Sequence, residues 1–497
     1  MSATDQLTAL DATFLELEQA DDSALMHIGG ALVFDPLPGG GTPTIEQVRA
    51  DLERHLARLP RYRQKLGTPR TGGLSWPSWK HDEHFEIDAH VRHATLPRPG
   101  DERAFLDWVS DFYSHRLDRN RPLWEMVLLD GLPEGRWALG WKTHHCLVDG
   151  VGSVDVIDLL LSGDSVPDER TATGGPSGST SGGSTSGEST LGGARRQRLP
   201  EAHSEPGHGW LPHTPEPIRQ TAGSGLAAAR AGAHALMHPR EALDRSREVI
   251  DLLVRDELIA APHSSINVPI GATRRVATVH VPLKDVQTIR SALGGTVNDV
   301  VLCASTSALR DLLLGRGEVP PRHGLRAMVP VNIRGAGDHG ELGNKVSSLF
   351  VELPVAEADP LRRYERVRAA VQKQKESGQA LAAGTLTDLA ALAPPLLHVT
   401  LARSLFARRL FNITITNVPG SADRLYALGA PMVDIVPIVP LAAEHALGIA
   451  VISYAGGMTF GLCADRATVP DLDILQDGIV SSLRRLATLA HTRVRAR

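Results

Sequence analysis

The sequence predicts a mixed α/β protein built in two halves. Short apolar runs of strand length alternate with stretches of helical periodicity along the whole chain. At 497 residues the chain exceeds what one ordinary core supports, so two domains of roughly 200 residues are the default. A Gly/Ser/Thr/Pro-rich stretch then separates an early strand-rich half from a late one.

In the first half, Leu7, Leu10, Phe14, Leu15 and Leu17 recur at near-helical spacing, and Met26 to Phe34 reads as a strand with a Gly29-Gly30 interruption. Thr44 is placed to cap a helix running to Leu59, with Val48, Leu52, Leu56 and Leu59 inward and Pro60 as its stop. Ile87 to Val91 reads as a short strand. Phe105, Trp108, Val109 and Phe112 mark a helix, and Met126 to Leu129 pairs with Trp137 to Trp141 around a Gly131/Gly135 turn. A second apolar run, Val151 to Leu161, forms a helix that Asp149 or Ser153 could cap.

From Asp164 to about His208 large apolar residues almost vanish, and such a segment cannot bury enough surface to offset its ordering entropy. The expected organisation is an N-terminal lobe at 1–163, a flexible linker at 164–216, and a helical connection with a C-terminal lobe at 217–497. Within the last, Arg275 to Val281, Leu325 to Ile333, Val346 to Leu353, Asn412 to Asn417, His445 to Tyr454 and Met458 to Ala464 read as strands. Leu283 to Leu293, Thr296 to Leu314, Leu361 to Lys373 and Leu472 to Leu489 read as helices. An alanine-rich helical region is expected over about Pro217 to Val254.

Composition removes several function classes. A hydrophobic share of 42% and a charged share of 22% are ordinary for a globular protein. With 52 basic and 57 acidic residues the net charge is -5, so no global field favours nucleic acid. Cys146, Cys303 and Cys463 are odd in number and lack metal-ligand spacing, which argues against a disulfide framework or a zinc site and fits a reducing cytoplasm. Met1 to Glu18 shows no basic region followed by an apolar core, and no window of 18 apolar residues occurs, so a soluble or peripheral protein is expected.

Chemistry concentrates in His144-His145-Cys146-Leu147-Val148-Asp149-Gly150, where a buried strand ends in two histidines and an Asp-Gly turn. A neutral imidazole takes a proton near pH 7 and returns it later, as acyl transfer to an alcohol requires. A lone buried histidine is more often a satisfied core residue, but two in tandem before Asp149-Gly150 are unusual. Asp149 is better suited to holding the bend than to acting on substrate. Three other segments stand out: Pro122-Leu123-Trp124-Glu125, readable as a turn with a core tryptophan; Asn298-Asp299, either a helix cap or a donor for an oxyanion; and Asn417-Val418-Pro419-Gly420, a good type II turn.

Together these segments resemble the bacterial wax ester synthase/diacylglycerol acyltransferase family, whose signature of two histidines, three variable residues and Asp-Gly is matched by His144, His145, Asp149 and Gly150. The resemblance covers nearly the whole chain. It includes Leu10 to Leu15, Met26-His27-Ile28-Gly29, Pro122 to Glu125, Asn267 to Arg275, Thr296 to Val300, Val329 to Arg334, Leu342-Gly343-Asn344, Asn417 to Gly420 and Ser453-Tyr454. Cys146 stands where Ala is more usual, and Ser421 where a second proline is frequent.

The resemblance implies two chloramphenicol-acetyltransferase-like lobes with a substrate tunnel between them. It implies transfer of a fatty acyl group from acyl-CoA, as co-substrate, to diacylglycerol or a long-chain alcohol, without a metal or other cofactor. His145 would be the general base, with His144 shaping the site. Asn298 would steady the tetrahedral intermediate or place the acceptor, and Asp299 would support the turn. Asp149 and Gly150 would form scaffold, with Pro122, Leu123 and Trp124 shaping the site. The location implied is cytoplasmic, at the inner face of the membrane or on lipid droplets. Residues 392–411, with Leu396, Leu401 and Phe406 beside Arg403, Arg408 and Arg409, read either as an interfacial helix or as a core helix with a basic end. Two alternatives stay open: a condensation-type acyltransferase acting on carrier-bound substrates, and a catalytically silent lipid-binding homologue.

Overall fold

The computed structural model describes residues 7–67, 77–148, 150–161, 261–332, 346–376 and 410–495. The expected linker, the 217–254 helical region, Asp149, the Leu342-Gly343-Asn344 segment and most of 392–411 lie outside them. The described residues belong to one compact unit formed by 1–165 together with 234–497.

The chain opens with α1 (Ala9–Ala20), started by a Thr8/Asp11 capping box, and continues into β1 (His27–Phe34). Helix α2 (Ile45–Leu56) starts at Thr44, whose hydroxyl accepts from Gln47 N, as the sequence suggested. It buries Val48, Leu52 and Leu56, each contributing ~1.5–3 kcal/mol of transfer free energy. A small ribbon of β2 (Gln64–Leu66) and β3 (Trp79–His81) follows. Then come α3 (Ile87–His90), β4 (Val91–Thr95), α4 (Glu102–Phe112), β5 (Trp124–Asp130), β6 (Trp137–His144) and α5 (Gly150–Leu161).

The second half supplies β7 (Arg274–Pro282), α6 (Leu283–Leu293), α7 (Val297–Gly315), β8 (Leu325–Asn332), β9 (Val346–Leu353) and α8 (Pro360–Glu376). It ends with β10 (Ile413–Pro419), β11 (Tyr426–Ala427), β12 (Ala430–Ile438), β13 (Leu447–Tyr454), β14 (Gly457–Asp465) and α9 (Leu472–Arg495). No helix among the described residues is long and apolar enough to cross a membrane.

Two six-stranded sheets result, ordered β11-β12-β1-β6-β5-β4 and β7-β14-β13-β10-β8-β9. In the first, β5 and β6 form the expected antiparallel pair, while β4 runs parallel to β5. In the second, β10 runs parallel to both β8 and β13. One face of the first sheet packs Phe34, Trp137 and Trp141 with Leu52 of α2 and Val156 of α5. Ala31, Val127 and Ala138 belong instead to a core continuous with the second sheet and α7.

The structure departs from the sequence reading at four places. Ile87 to Val91 is not a strand. Its first part is the helical turn α3, because the His90 ring nitrogen bonds to the Trp124 carbonyl at 2.9 Å and stacks on the Trp124 ring, and pairing to β5 begins only at Val91. Asn417 to Pro419 is strand rather than turn, held in parallel register with Val451 to Ser453. The cap of α7 is Thr296, not Asn298, because the Thr296 hydroxyl accepts from Asp299 N.

The fourth concerns β11 and β12, which the sequence did not suggest because Pro431 and Pro437 interrupt the strand pattern. These C-terminal residues add to the first sheet, with β12 antiparallel to β1. Strand β12 also packs against β13 and β14 of the second sheet. Glycine is required on both sides of it. A Cβ at Gly30 would lie 2.1 Å from the Val436 carbonyl oxygen, and one at Gly461 would lie 1.9 Å from that of Pro437.

Helix α4 and the turn after it make a second junction between the sheets. The Ser110 hydroxyl accepts from Val276 N at 2.9 Å and the Ser114 hydroxyl from Arg274 N at 2.8 Å, covering part of the edge strand β7. Gly461→Ala is expected to destabilise the protein by ~2 kcal/mol or more, as overpacking against rigid backbone does. Gly39→Ala, whose Cβ meets nothing within 4 Å, should leave the urea midpoint unchanged. Equal midpoints for the two variants would refute the role given to β12.

Candidate active site

The tandem histidines have separate fates because they sit where β6 ends. His144 is the last strand residue, directly opposite His27 at the start of β1, so both side chains project from the same face. Its N–H donates to the Leu123 carbonyl at 3.0 Å, and the His145 N–H donates to the Met26 carbonyl at 2.8 Å. Leu147 N closes a turn onto the His144 carbonyl at 2.9 Å. The backbone of the motif is thus pinned to the strand on either side of it.

His144 is buried, and its Nδ1 accepts from Cys146 N at 3.1 Å. Its remaining proton therefore belongs on Nε2, which lies 3.5 Å from Glu18 Oε2. His27 Nε2 approaches the other Glu18 oxygen at 3.1 Å. Arg119 donates to Glu18 Oε2 at 2.6 Å and to the Leu15 carbonyl at 3.2 Å. One carboxylate from α1 is thus shared by two imidazoles and a guanidinium.

Burial opposes charge on Glu18, yet the His144 and His27 imidazoles beside it hold its carboxyl well below the usual carboxylate range. Burial pushes His27 down to about 4, and Lys142 assists by repulsion. Burial lowers His144 as well. Both imidazoles are neutral at pH 7, and Arg119 balances the Glu18 charge. Burial also raises the Cys146 thiol well above its ordinary value, the opposite of what a thiolate nucleophile needs.

His145 is only half-buried, unlike its neighbour. Its ring stacks on Phe14 of α1 with centroids 4.0 Å apart and planes 15° from parallel. That contact sets the plane of the ring, and the backbone bond to Met26 sets its height. Of the two histidines, His145 is the more accessible.

The other sequence candidates fall into three groups. Leu123 and Trp124 are buried scaffold: the Leu123 carbonyl receives His144 N, and the Trp124 indole N–H donates to the Tyr62 carbonyl at 2.8 Å. Pro122 accepts from Trp124 N at 2.9 Å in the turn that delivers them. Gly150, the last residue of the motif, begins α5. Asn298 and Asp299 occupy the first turn of α7, where Asp299 Oδ2 accepts from Thr296 N at 2.7 Å and from the Thr296 hydroxyl at 2.9 Å. Helix α7 packs on α6, α8, α9, β9 and β10, and no hydrogen bond among the described residues joins Asn298 to the histidine segment.

Sequence reasoning missed Glu18, His27, Arg119 and Phe14 as site residues. A signal existed: Asp11, Phe14 and Glu18 recur at helical spacing on the face that also carries Leu7 and Leu15, so two acids point inward. Asp11 and Glu18 are indeed 5% and 2% exposed.

The chain is similar to known proteins over nearly its whole length. Residues 7–301 match the wax ester synthase/diacylglycerol acyltransferase catalytic domain, and residues 342–487 match the WS/DGAT C-terminal domain. The chain is 30% identical to a Mycobacterium tuberculosis H37Rv protein named probable diacyglycerol O-acyltransferase tgs1, over 98% of this chain and 96% of that protein. It is 32% identical to the same organism's probable diacyglycerol O-acyltransferase tgs2, over 96% of this chain and 97% of the relative. A solved wax ester synthase/diacylglycerol acyltransferase from Marinobacter aquaeolei VT8 superposes with a TM-score of 0.67 at 26% identity, covering 98% of this chain and all of that one. The starter condensation domain of rhizomide synthetase shares the fold alone, with a TM-score of 0.56 at 15% identity over 98% of this chain and 95% of that one. The chain belongs to the wax ester synthase/diacylglycerol acyltransferase family.

Proposed function

We propose that this protein is an acyl-CoA-dependent O-acyltransferase that transfers a fatty acyl group to diacylglycerol, to a long-chain alcohol, or to both, with His145 as general base. The observation that carries this reading is the asymmetry of the histidine pair. His144 is locked into a buried carboxylate cluster, while His145 stands half-buried at the strand end with its ring plane set by Phe14. Family membership supports the reaction class.

His145 removes the hydroxyl proton of the acceptor as its oxygen attacks the thioester carbonyl carbon. A tetrahedral oxyanion forms. Its collapse breaks the C–S bond, and the imidazolium returns the proton to the departing thiolate, releasing coenzyme A and the ester. Asn298 steadies the oxyanion or places the acceptor, helped by the positive end of α7. Asp299 holds the Thr296 turn, and Asp149 and Gly150 serve as scaffold and do not act on substrate. Pro122, Leu123 and Trp124 back the site, and the tunnel between the lobes admits both substrates. The condensation-type alternative is not adopted, because condensation domains share only the fold with this chain.

His145→Ala should abolish formation of labelled ester from radiolabelled acyl-CoA, assayed in parallel with diacylglycerol and hexadecanol. Asn298→Ala should lower turnover by roughly 10² if it supplies an oxyanion donor. A His145→Ala protein that retains most of its activity would overturn the mechanism, and the two acceptors tested side by side fix the preference.

A pH effect on stability follows from the buried imidazoles. His27 has its pKa pushed from 6.5 to about 4, so between those values the unfolded chain binds a proton that the folded chain refuses. Stability is therefore intact above about pH 6.5 and falls as the pH drops toward 4, by ~3 kcal/mol from this residue. His27→Gln should flatten that loss in unfolding midpoints taken across the window, and an unchanged slope would refute the assignment.

The products are too apolar to leave through water, so the enzyme works in peripheral contact with a membrane or lipid-droplet surface. The purified protein should co-sediment with anionic vesicles. Its failure to do so would remove the interfacial role.

A further inference from the structure

The base at His145 is held by backbone, and that backbone is tied to the second lobe at one buried side chain. Arg274, the first residue of β7, is 2% exposed. Its guanidinium donates to the Gly271 carbonyl at 2.7 Å within its own lobe and to the Ser23 carbonyl in the first. The Gly271 end is rigid, because Gly271 N donates to Asp465 Oδ1 at 2.8 Å and Thr468 N to Asp465 Oδ2 at 2.9 Å.

The Ser23 end lies in the 21–26 loop, which joins two parts of the site: α1, carrying Phe14 and Glu18, and β1, starting at His27. Ser23 is fixed in the loop by its N–H and hydroxyl, both bonded to Asp21 Oδ1. Arg116 grips the same loop from the first lobe, donating to the Glu18 carbonyl at 2.8 Å and the Asp21 carbonyl at 3.3 Å. The loop ends at Met26, whose carbonyl accepts from His145 N at 2.8 Å. The path from the second lobe to the base is thus Gly271, Arg274, Ser23, the loop, Met26 and His145.

We propose that Arg274 is a positioning residue for acyl transfer, which fixes the height of His145 relative to the second lobe by clamping the 21–26 loop. The inference rests on His145 being the base. A planar guanidinium suits the task, since its fork reaches two carbonyls at once, whereas a lysine ammonium is a point donor on a flexible stem. Adjacent Arg275 provides a control, because its guanidinium bonds to the Pro470 carbonyl and to Asp473, both within the second lobe.

The test compares Arg274→Ala, Arg274→Lys and Arg275→Ala in the full chain, measuring kcat and KM for acyl-CoA and acceptor per folded molecule, with amide hydrogen exchange by peptide. Arg274→Ala should lose roughly 10- to 100-fold in kcat, as small misplacements of catalytic groups do, with KM within about twofold. Its exchange should rise selectively in peptides covering 21–27 and 141–148. Arg274→Lys should fall between it and the parent, and Arg275→Ala should keep its kcat. An unchanged kcat for Arg274→Ala, or an exchange increase spread evenly over the second-lobe strands, would overturn the proposal while leaving the His145 mechanism standing. Loss of that mechanism would be seen separately, as activity surviving in His145→Ala.

Discussion

A carboxylate 2% exposed stays ionised only where donors surround it, and Glu18 is so placed. Arg119 supplies the counter-charge, and His144 and His27 turn ring nitrogens toward its two oxygens. The rest of the site follows from this one anion. It orients His144, whose other nitrogen takes the Cys146 N–H and so shapes the turn that presents His145. It also draws α1 against the ends of β1 and β6, which brings Phe14 under the His145 ring. Removing Arg119 would leave the buried Glu18 charge without its counter-charge.

The second constraint is that neither sheet is independent of the other half of the chain. Strand β12 arrives from near the C-terminus, pairs with β1, and packs on β13 and β14. The glycines at 30 and 461 give its carbonyls room on both sides. Helix α4 and the turn after it give Ser110 and Ser114 to the edge of β7. A histidine built on the first sheet is therefore held in register with the second.

The histidine motif also shows how one short sequence yields two chemical environments. His144 is on the strand, so its side chain follows the sheet's alternation into the protein and loses its charge to burial. His145 is one residue further, past the last ladder pair, and is only half-buried. Cys146 lies beyond it and is again buried, with its thiol held protonated.

The sequence by itself determined most of the elements and the identity of the motif, because these depend on local periodicity and on spacing along the chain. Thr44 as a cap, the β5/β6 pair and the strand ending in His144 all obey that logic. It failed where a distant partner overrode local preference: at Ile87 to His90, tied by the His90 ring to Trp124, and at β12, whose prolines hide a strand that only β1 can complete. The site divides the same way. Tandem histidines, Asn298 and the Pro-Leu-Trp turn are visible as patterns, whereas Glu18, His27, Arg119 and Phe14 become site residues only when α1, β1 and the 113–123 connection converge on the end of β6. Spacing records what one element can do alone, and burial of a shared charge between several elements is decided by tertiary structure.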